Sequence, residues 1–247
     1  MNTLENQIAV VTGGTRGIGR AITLCLLEAG ARVHATYAGN EAAASALRDA
    51  AAAHGDRLEL ARFDVADEQA VEGFWRGLED RGQDPVHMLV NCAGIRRDQL
   101  LALTQTEDWR AVLDTNLTGS FLMSKYAVQS MLRGRYGRIV FVTSPAGLHG
   151  FAGQTAYGAS KAGQIGLMRS LAKEVGRKKI TVNCVSPGFI ETELIADLSE
   201  ETRKQHLSSV PLARFGKPEE VAFAVRMLCD PQASYVHGSV LEVTGGL

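Results

Sequence analysis

The sequence has little of the features that mark several specialised classes of protein. It has 247 residues, four cysteines and a formal net charge of −1 at pH 7. A nearly neutral chain has no overall field to attract nucleic acid or an anionic membrane, so we expect neither as a partner. No apolar run approaches the roughly 18 residues of a membrane-spanning helix, and no charged-then-apolar leader precedes the first predicted strand. We therefore expect a soluble, intracellular protein located in the cytoplasm.

The few cysteines lack the spacing of metal ligands or of a disulfide framework. Cys25, Cys92, Cys184 and Cys229 are scattered along the chain among apolar neighbours. Free cysteine behaves as a small apolar residue and is often buried. We expect four free, buried thiols, with no zinc site and no other metal site.

The chain alternates short β-branched runs with longer helix-like segments. At 45% hydrophobic residues it can bury a sizeable core, and it shows no internal repeat or linker. Apolar strands alternating with helices predict one α/β domain over residues 1–247, a doubly wound Rossmann-type fold. Its seven-stranded parallel sheet would carry helices on both faces. The predicted strands are Ile8–Thr12, Val33–Tyr37, Leu58–Phe63, Val86–Val90, Arg138–Thr143, Thr181–Val185 and Val240–Val243. The predicted helices are Arg16–Ala29, Ala42–His54, Glu68–Gly77, Glu107–Arg133, Ala156–Val175 and Pro218–Leu228.

One long segment, about residues 190–215, interrupts this alternation between the sixth predicted strand and the last helix. It is polar and poorly periodic, so we do not expect it in the core. Long segments of this kind in compact domains are often functional. We predict a lid over the substrate here.

A glycine-rich turn directly follows the first predicted strand, in the order Thr12-Gly13-Gly14-Thr15-Arg16-Gly17-Ile18-Gly19. Glycines at 13, 17 and 19 permit a tight turn and a close approach of backbone N–H groups to a phosphate. Such a segment could be an ordinary turn. Its place between the first strand and first helix of a doubly wound pattern favours a dinucleotide site.

The end of the second predicted strand indicates which dinucleotide binds. An acid there would hold the ribose hydroxyls of NAD and repel the 2′-phosphate of NADP. The sequence Ala35-Thr36-Tyr37-Ala38 has no acid until Glu41, and the Arg16 cation could meet a 2′-phosphate. We therefore predict NADP(H). Asp64 and Val65, after the third strand, could hold the adenine edge; alternatively, Asp64 is a helix N-cap.

Tyr157 and Lys161 lie four residues apart on a predicted helix. Their side chains would project from one face, with Cβ atoms about 5–6 Å apart. A fixed ammonium favours the phenolate and lowers the pKa of a tyrosine from its usual value of about 10. The pair could then exchange a proton with a substrate oxygen. Taken alone, it could also be two residues of an exposed helix.

The motifs form an ordered set: Thr12–Gly19, Asn91-Cys92-Ala93-Gly94, Asn116, Ser144, Tyr157, Lys161 and Pro187-Gly188. In this set the chain resembles the short-chain dehydrogenase/reductases over essentially its whole length. Within that superfamily it is most similar to the 3-oxoacyl-[acyl-carrier-protein] reductases. The stretches that carry this similarity are Gly94–Asp98, Gly153–Tyr157, Val185–Thr192 and Gly238–Gly246.

The resemblance implies a role for each motif. Ser144 would donate a hydrogen bond to the substrate carbonyl, Tyr157 would supply the proton, and Lys161 would lower the tyrosine pKa and bind the nicotinamide ribose. Asn116 would bind a water that links Lys161 to solvent. Without the resemblance, Ser144 could be a strand-end serine and Asn116 a polar residue inside a helix. Besides Tyr157 and Lys161, the implied cofactor contacts are Gly13, Thr15, Arg16, Gly17, Ile18, Gly19, Tyr37, Asp64, Val65, Asn91, Ala93, Gly94, Pro187, Gly188, Ile190 and Thr192.

Three positions depart from the family pattern or modify it. Cys92 stands where the family usually has a second asparagine, so the bonds of that side chain are lost. Pro145 biases Ser144 towards an extended backbone. With His149, it suggests a substrate loop adapted to something other than a generic acyl chain, although His149 could also be a solvated loop histidine.

The resemblance implies NADPH-dependent reduction of a 3-oxoacyl thioester on acyl carrier protein to the 3-hydroxyacyl thioester. The alternatives are reduction of an acyl-CoA, a polyketide, a sugar or a cyclic ketone, or a non-catalytic nucleotide-binding subunit. Arg135 and Lys178 match basic positions of the carrier-protein reductases and could dock an acidic carrier beside the site entrance, or be ordinary surface charges. A homotetramer is implied, paired through the helices 107–133 and 156–175. The apolar residues that could line its surfaces or the core are Leu113, Leu117, Phe121, Leu122, Ile165, Leu167 and Met168.

Overall fold

The computed structural model describes residues 4–83, 85–193 and 200–247. Seven strands form one parallel sheet in the order β3-β2-β1-β4-β5-β6-β7. The strands are β1 (Ile8–Val11), β2 (Arg32–Tyr37), β3 (Leu58–Arg62), β4 (Met88–Asn91), β5 (Gly137–Val142), β6 (Ile180–Pro187) and β7 (Val240–Val243). The helices are α1 (Gly17–Glu28), α2 (Glu41–Ala50), α3 (Glu68–Asp80), α4 (Thr106–Leu113), α5 (Gly119–Gly134), α6 (Thr155–Val175), α7 (Glu200–Ser208) and α8 (Pro218–Cys229). The predicted single-domain, doubly wound α/β fold is confirmed.

The core lies in two layers, one on each face of the sheet. Residues of α1 and α8 pack on one face, and residues of α3, α5 and α6 pack on the other. Within β1, Ala9 and Val11 face the first layer while Val10 faces the second. Every residue of β4, β5 and β6 is buried. Burial on both faces explains why these strands are nearly continuous apolar runs in the sequence.

The predicted helix Glu107–Arg133 is not one regular α-helix. It divides into α4 and α5 around a π-helical turn, Asp114–Thr118. The predicted helix Ala42–His54 likewise ends at Ala50, and a short 3₁₀ segment with Gly55 at φ +57° follows. A π turn inserts into a helix without breaking its apolar pattern, so periodicity alone does not find it.

The order of the strands places a crevice at the centre of the sheet. The chain runs outwards from β1 through β2 to β3, then returns to β4 on the other side of β1. Helices α1 and α4–α5 therefore leave towards opposite faces, and the carboxyl ends of β1 and β4 open into a crevice between them. Doubly wound folds bind their ligands at this switch point.

The remaining expectations concern cysteines and membrane spans. All four cysteines are free; Cys184 and Cys229 are buried, whereas Cys25 and Cys92 are only partly buried. Among the described residues, no helix is both long and apolar enough to cross a membrane. In the same part of the chain no group of three or more His, Cys, Asp or Glu side chains could hold a metal ion.

Candidate active site

The predicted site residues gather at the carboxyl edge of the sheet. Residues 13–19 follow β1, Tyr37 ends β2, and Asp64 and Val65 follow β3. Asn91 ends β4, Ser144 follows β5, and Pro187 ends β6. Tyr157 and Lys161 lie on α6, and Asn116 lies in the π turn. Because all seven strands are parallel, residues far apart in sequence come to one edge.

The turn after β1 depends on glycine at positions 13, 14, 17 and 19. Gly13 and Gly17 have φ of +62° and +51°, where a side chain strains the backbone. A Cβ on Gly13 would lie 3.0 Å from the Cα of Ala93, and one on Gly19 would lie 2.1 Å from the carbonyl oxygen of Gly13. The turn therefore packs directly on the segment after β4. The helix that follows it, α1, begins with glycines that carry no side chain.

The N-terminus of α1 fits the pyrophosphate of a dinucleotide. Its N-cap, Arg16, makes no capping hydrogen bond through its side chain, and the first turn has no acidic residue. By contrast, Asn40 and Asp67 cap α2 and α3 through their side-chain oxygens. The first N–H groups of a helix lack intrahelical partners and favour an anion. This end of α1 has the bare donors that a phosphate needs.

Thr12, directly after β1, joins this strand to the segment after β4 at the switch point. The sequence motif did not predict this role. Its Oγ1 accepts hydrogen bonds of 3.0 Å from the N–H groups of both Cys92 and Ala93. The neighbouring Asn91 donates from Nδ2 to Ser124 Oγ at 3.0 Å, and its buried Oδ1 has no protein partner. In the sequence this role is visible only as a threonine at the end of a strand, and a motif defined by its glycines assigns no function to that threonine.

Paired charges surround the end of β2. The Tyr37 hydroxyl donates to Glu41 at 2.9 Å, and Glu41 forms a 3.0 Å ion pair with Arg62. Arg16 forms a 3.7 Å ion pair with Glu193. Asp64 accepts from the N–H of Ala66 at 2.9 Å and does not cap α3, because Asp67 does. The helix-cap alternative for Asp64 is therefore wrong.

The hydroxyls of Ser144 and Tyr157 meet at the carboxyl edge of the sheet and are the candidate reactive pair. Ser144 has an extended backbone, φ −166° and ψ 153°, as Pro145 predicts. Burial raises the pKa of the partly buried Tyr157 hydroxyl, and a hydrogen bond with the Ser144 side chain opposes that rise. We expected a lowered pKa, and that direction is wrong for this structure. The Lys161 ammonium lies 5.5 Å from the centre of the tyrosine ring, but the largest influence on the pKa of the hydroxyl is desolvation.

Lys161 is buried beside this pair, with 4% of its surface exposed. Its Nζ donates to the carbonyl oxygen of Val142 at 2.8 Å and to Gln164 Oε1 at 3.2 Å. Burial lowers the pKa of its ammonium to about 8. A Cβ on Gly94 would lie 3.7 Å from this Nζ. The Gly94 backbone therefore lies close over the lysine.

Asn116 is fully buried in the π turn. Its Oδ1 accepts from the N–H of Ile95 at 2.8 Å, and its Nδ2 donates to the Ile95 carbonyl and to Ser160 Oγ, both at 3.0 Å. Its backbone carbonyl accepts from Gln164 and Ser120. The connection from Asn116 to Lys161 thus passes through Gln164, a second residue that sequence reasoning missed. Glutamine has no motif signal of its own.

The segment after β6 borders the glycine turn. A Cβ on Gly17 would contact the Thr192 side chain at 3.7 Å, and Ile190 is buried. A Cβ on Gly188 would approach the Thr244 backbone within 2.9 Å. The predicted lid, residues 190–215, begins and ends at a short parallel bridge between Ile190 and Gly216. It contains α7, which was not predicted, and residues 194–199 lie outside the described residues.

Exposed apolar side chains lie on two loops at the carboxyl edge of the sheet, one after β4 and one after β5. The loops are joined by a 2.8 Å hydrogen bond from the N–H of Gln99 to the carbonyl of Gly153. We call these exposed side chains the apolar rim; its members are Leu100, Leu101, Leu103, Leu148 and Phe151. His149 is exposed on the same loop as Leu148, in agreement with a solvated loop histidine. The rim offers apolar surface next to the reactive pair.

Arg135 and Lys178 are not beside the entrance of this chain's own site. Both are exposed, but Arg135 precedes β5 and Lys178 precedes β6, so they lie at the amino edge of the sheet. Ser144 lies at the other end of β5, whose six residues span about 20 Å. The expectation that they flank the entrance is therefore wrong within one chain, because the strand separates them from it.

Comparisons with known proteins agree with this geometry. A family profile described as enoyl-(acyl carrier protein) reductase matches residues 13–247. The chain is 41% identical over 244 residues to 3-oxoacyl-[acyl-carrier-protein] reductase FabG of Aquifex aeolicus, covering 99% of this chain and 98% of that protein. It is 42% identical over 243 residues to the protein of the same name from Escherichia coli, covering 98% of each.

A solved structure, described as a putative gluconate dehydrogenase from Agrobacterium tumefaciens, superimposes with a TM-score of 0.93. It is 32% identical to this chain, and the match covers 98% of this chain and 96% of the other. This chain, which its relatives match over nearly its full length, thus combines the fold with the glycine turn and with the set Ser144, Tyr157 and Lys161. The chain belongs to the short-chain dehydrogenase/reductase family of nicotinamide-dependent oxidoreductases.

Proposed function

We propose that the protein reduces a 3-oxoacyl thioester carried on acyl carrier protein to the 3-hydroxyacyl thioester, using NADPH. The observation that carries this proposal is the meeting of the Ser144 and Tyr157 hydroxyls at the carboxyl edge of the sheet, where the Ser144 side chain acts on the Tyr157 pKa and the buried Lys161 lies one helical turn away. Two hydroxyl donors that meet there can both bond one carbonyl oxygen of a substrate. Bound NADPH would supply the hydride.

In this proposal the protein stabilises charge and delivers a proton. Ser144 donates a hydrogen bond to the ketone oxygen and stabilises the negative charge that develops there. Tyr157 donates its proton to the same oxygen. Because burial raises the tyrosine pKa, the hydroxyl is protonated at neutral pH and carries the proton that it donates. Lys161 places a positive charge beside the tyrosine and would hold the nicotinamide ribose of a bound cofactor.

NADPH is favoured over NADH by the charges at the end of β2. The acid nearest this end, Glu41, is paired with Arg62 and bonded to Tyr37, so its charge is largely compensated. Arg16 lies at the start of α1 with a half-exposed side chain, where its guanidinium could bind a 2′-phosphate in place of Glu193. Asp64 and Val65 would border the adenine. The other proposed cofactor contacts are those predicted from the sequence.

The apolar rim and the relatives' names favour an acyl thioester as substrate. Leu100, Leu101 and Phe151 offer apolar surface to an acyl chain. The family profile is described by a different reaction, the reduction of an enoyl group. Hydride addition to an enoyl thioester develops charge on the thioester oxygen and protonates a carbon, whereas ketone reduction develops charge on, and protonates, the one oxygen that the Ser144 and Tyr157 hydroxyls can both reach. The paired hydroxyls therefore favour the ketone.

A thioester panel tests this proposal. NADPH oxidation is measured with acetoacetyl and longer 3-oxoacyl groups on acyl carrier protein and on coenzyme A, and with crotonyl thioesters as the enoyl comparison. We expect turnover of the 3-oxo substrates, a preference for the carrier protein, and little or none of the enoyl thioester. Failure with every 3-oxo thioester would exclude the proposal.

A sugar or polyol substrate is the second candidate, supported by the similarity to the putative gluconate dehydrogenase. Polyols need hydrogen-bonding partners, and the exposed apolar rim argues against them. A non-catalytic subunit is disfavoured because the Ser144, Tyr157, Lys161 and Asn116 set is complete. Oxidation of gluconate with NADP⁺, absent any 3-oxoacyl turnover, would favour the second candidate.

Carrier docking and assembly remain predictions. Since Arg135 and Lys178 lie at the amino edge, they could dock a carrier only at the entrance of another subunit. Leu122, Ile165 and Met168 are buried in the core and cannot line the predicted tetramer surfaces, whereas Phe121 is exposed on α5. Sedimentation would measure the assembly. A cytoplasmic location and lid closure by residues 190–215 also remain predictions.

A further inference from the structure

Gln164 lies on α6, three residues after Lys161, and is fully buried. Its Oε1 accepts a 3.2 Å hydrogen bond from Lys161 Nζ. Its Nε2 donates two bonds of 2.8 Å, to the backbone carbonyl of Asn116 and to Ser120 Oγ. Both ends of a buried amide are thus bonded to the groups around the lysine. A buried amide with this many partners is costly to misplace and rigidifies what it touches.

The bonds of Gln164 complete a closed network. The Asn116 carbonyl accepts from Gln164 Nε2 and, at 2.7 Å, from Ser120 Oγ. These two donors use both lone pairs of that oxygen. The Asn116 side chain is bonded to Ile95 and Ser160. Lys161 is therefore linked to the π turn by protein groups, and Gln164 is the group that makes the link.

We propose that Gln164 is a positioning residue, which links the Lys161 ammonium to the Asn116 carbonyl through its own amide and fixes the direction in which the lysine presents its remaining N–H. The two bonds from Nζ, to Val142 and to Gln164, use two of its three N–H donors. The third is left for the tyrosine and the cofactor. This inference rests on the proposed function for the role of Lys161, but the placement of the ammonium does not depend on which ketone is reduced.

A neutral amide is suited to this position. A carboxylate there would pair with the ammonium and cancel the charge that Tyr157 and the cofactor ribose are to meet. An apolar side chain would leave the Lys161 N–H and the Asn116 carbonyl each short of a partner. Glutamine holds the cation and leaves its charge intact.

The charged and titratable groups near Lys161 allow a clean measurement of its protonation. Cys92, after β4, and Cys184, on β6, act on its charge, but burial raises the pKa of these thiols to about 11 and about 12. Tyr157 lies on the same helix and its pKa is also raised; Arg96 and Asp98, after β4, act on Tyr157. Among these groups, Lys161, with a pKa of about 8, is the one that titrates in the mildly alkaline range.

The decisive experiment compares Gln164→Glu with Gln164→Met, two changes of similar size. The pH dependence of NADPH binding, followed by fluorescence without substrate, and that of kcat/KM for reduction are measured for both. A carboxylate favours the ammonium, so in Gln164→Glu the alkaline limb of the pH profile moves to higher pH. Loss of the hydrogen-bond acceptor disfavours the ammonium, so in Gln164→Met the alkaline limb moves to lower pH. We expect opposite shifts on the order of one pH unit.

Met168→Leu is the control, because Met168 is fully buried one turn further along α6 and belongs to the core. It should keep the wild-type limb. Limbs that stay at the wild-type pH in both Gln164 variants, or that move in the same direction, overturn the proposal. If Gln164→Met does not fold, the Gln164→Glu arm decides alone. Because NADPH binding is read without substrate, a wild-type enzyme inactive on every thioester would refute the proposed function and leave the result for Gln164 valid.

Discussion

Lys161 on α6 donates a 2.8 Å hydrogen bond to the backbone carbonyl of Val142, the last residue of β5. The carboxyl edge of the sheet thus holds the cation directly, close to Ser144, which follows the end of β5. Fixing a charged nitrogen in this way preorganises the site, so the group need not be ordered during the reaction. The cost is desolvation, which lowers the lysine pKa to about 8.

The first prediction concerns the pH dependence of the reaction. Since the pKa of Lys161 is lowered, its ammonium is present below about 8 and is lost as pH rises through that value. We expect kcat/KM for reduction to fall across this range, because kcat/KM reports the free enzyme. In Lys161→Arg the charge persists, so any residual activity should lack this limb. An identical limb in both enzymes would show that another group titrates.

The second prediction concerns the proton donor. Tyr157→Phe removes the hydroxyl that interacts with Ser144 but keeps the ring that lies beside Lys161. General acids typically contribute about 10²–10⁴-fold, and kcat should fall by that range. NADPH affinity, measured by fluorescence titration, should change little. Tyr126→Phe, on α5 beside Lys125, is the control and should retain full turnover; unchanged turnover in Tyr157→Phe would refute the assigned acid.

The third prediction concerns cofactor choice. Arg16→Ala removes the cation proposed to bind the 2′-phosphate, and charge-assisted hydrogen bonds contribute about 1.5–3 kcal/mol. We expect kcat/KM for NADPH to fall about 10- to 100-fold while that for NADH changes little. Arg76→Ala, which removes an exposed cation paired with Glu72 on α3, should leave both values unchanged. Equal losses with the two cofactors would contradict recognition of the phosphate by Arg16.

The fourth prediction contrasts two glycines. A Cβ on Gly19 would lie 2.1 Å from the Gly13 carbonyl oxygen, whereas one on Gly73, inside α3, would meet nothing within 4 Å. Gly19→Ala should lower the free energy of unfolding by about 1–3 kcal/mol and weaken NADPH binding. Gly73→Ala should raise it by about 0.5–1 kcal/mol with normal activity. Denaturant unfolding and fluorescence titration check both; a Gly19→Ala enzyme that binds NADPH normally would show that the turn tolerates a side chain.

Much of the site follows from the sequence because its motifs have strand-and-helix context. Residues 13–19 follow a strand, and Ser144 follows another, so a parallel sheet must bring them to one edge. The four-residue spacing of Tyr157 and Lys161 places them on one helical face. These arguments use only local spacing and topology.

Other features of the site depend on packing that spacing does not encode. Gln164 meets Asn116 across 48 residues, and Thr12 meets Cys92 and Ala93 across about 80. The Tyr157 pKa is raised, whereas the sequence predicts that it is lowered. It depends on how deeply Tyr157 is buried, and helical spacing says nothing about burial.

The parallel α/β fold, the glycine turn after β1 and the placement of Tyr157 and Lys161 on one helical face follow from the amino-acid sequence. Periodicity, glycine and fixed helical spacing are local properties of the chain. Only tertiary packing buries Lys161 and anchors it on Val142, links it through Gln164 to Asn116, and puts Arg135 and Lys178 at the amino edge of the sheet. Burial, hydrogen-bond partners and the ends of strands arise only when distant segments pack together, and these set the charges on which the chemistry depends.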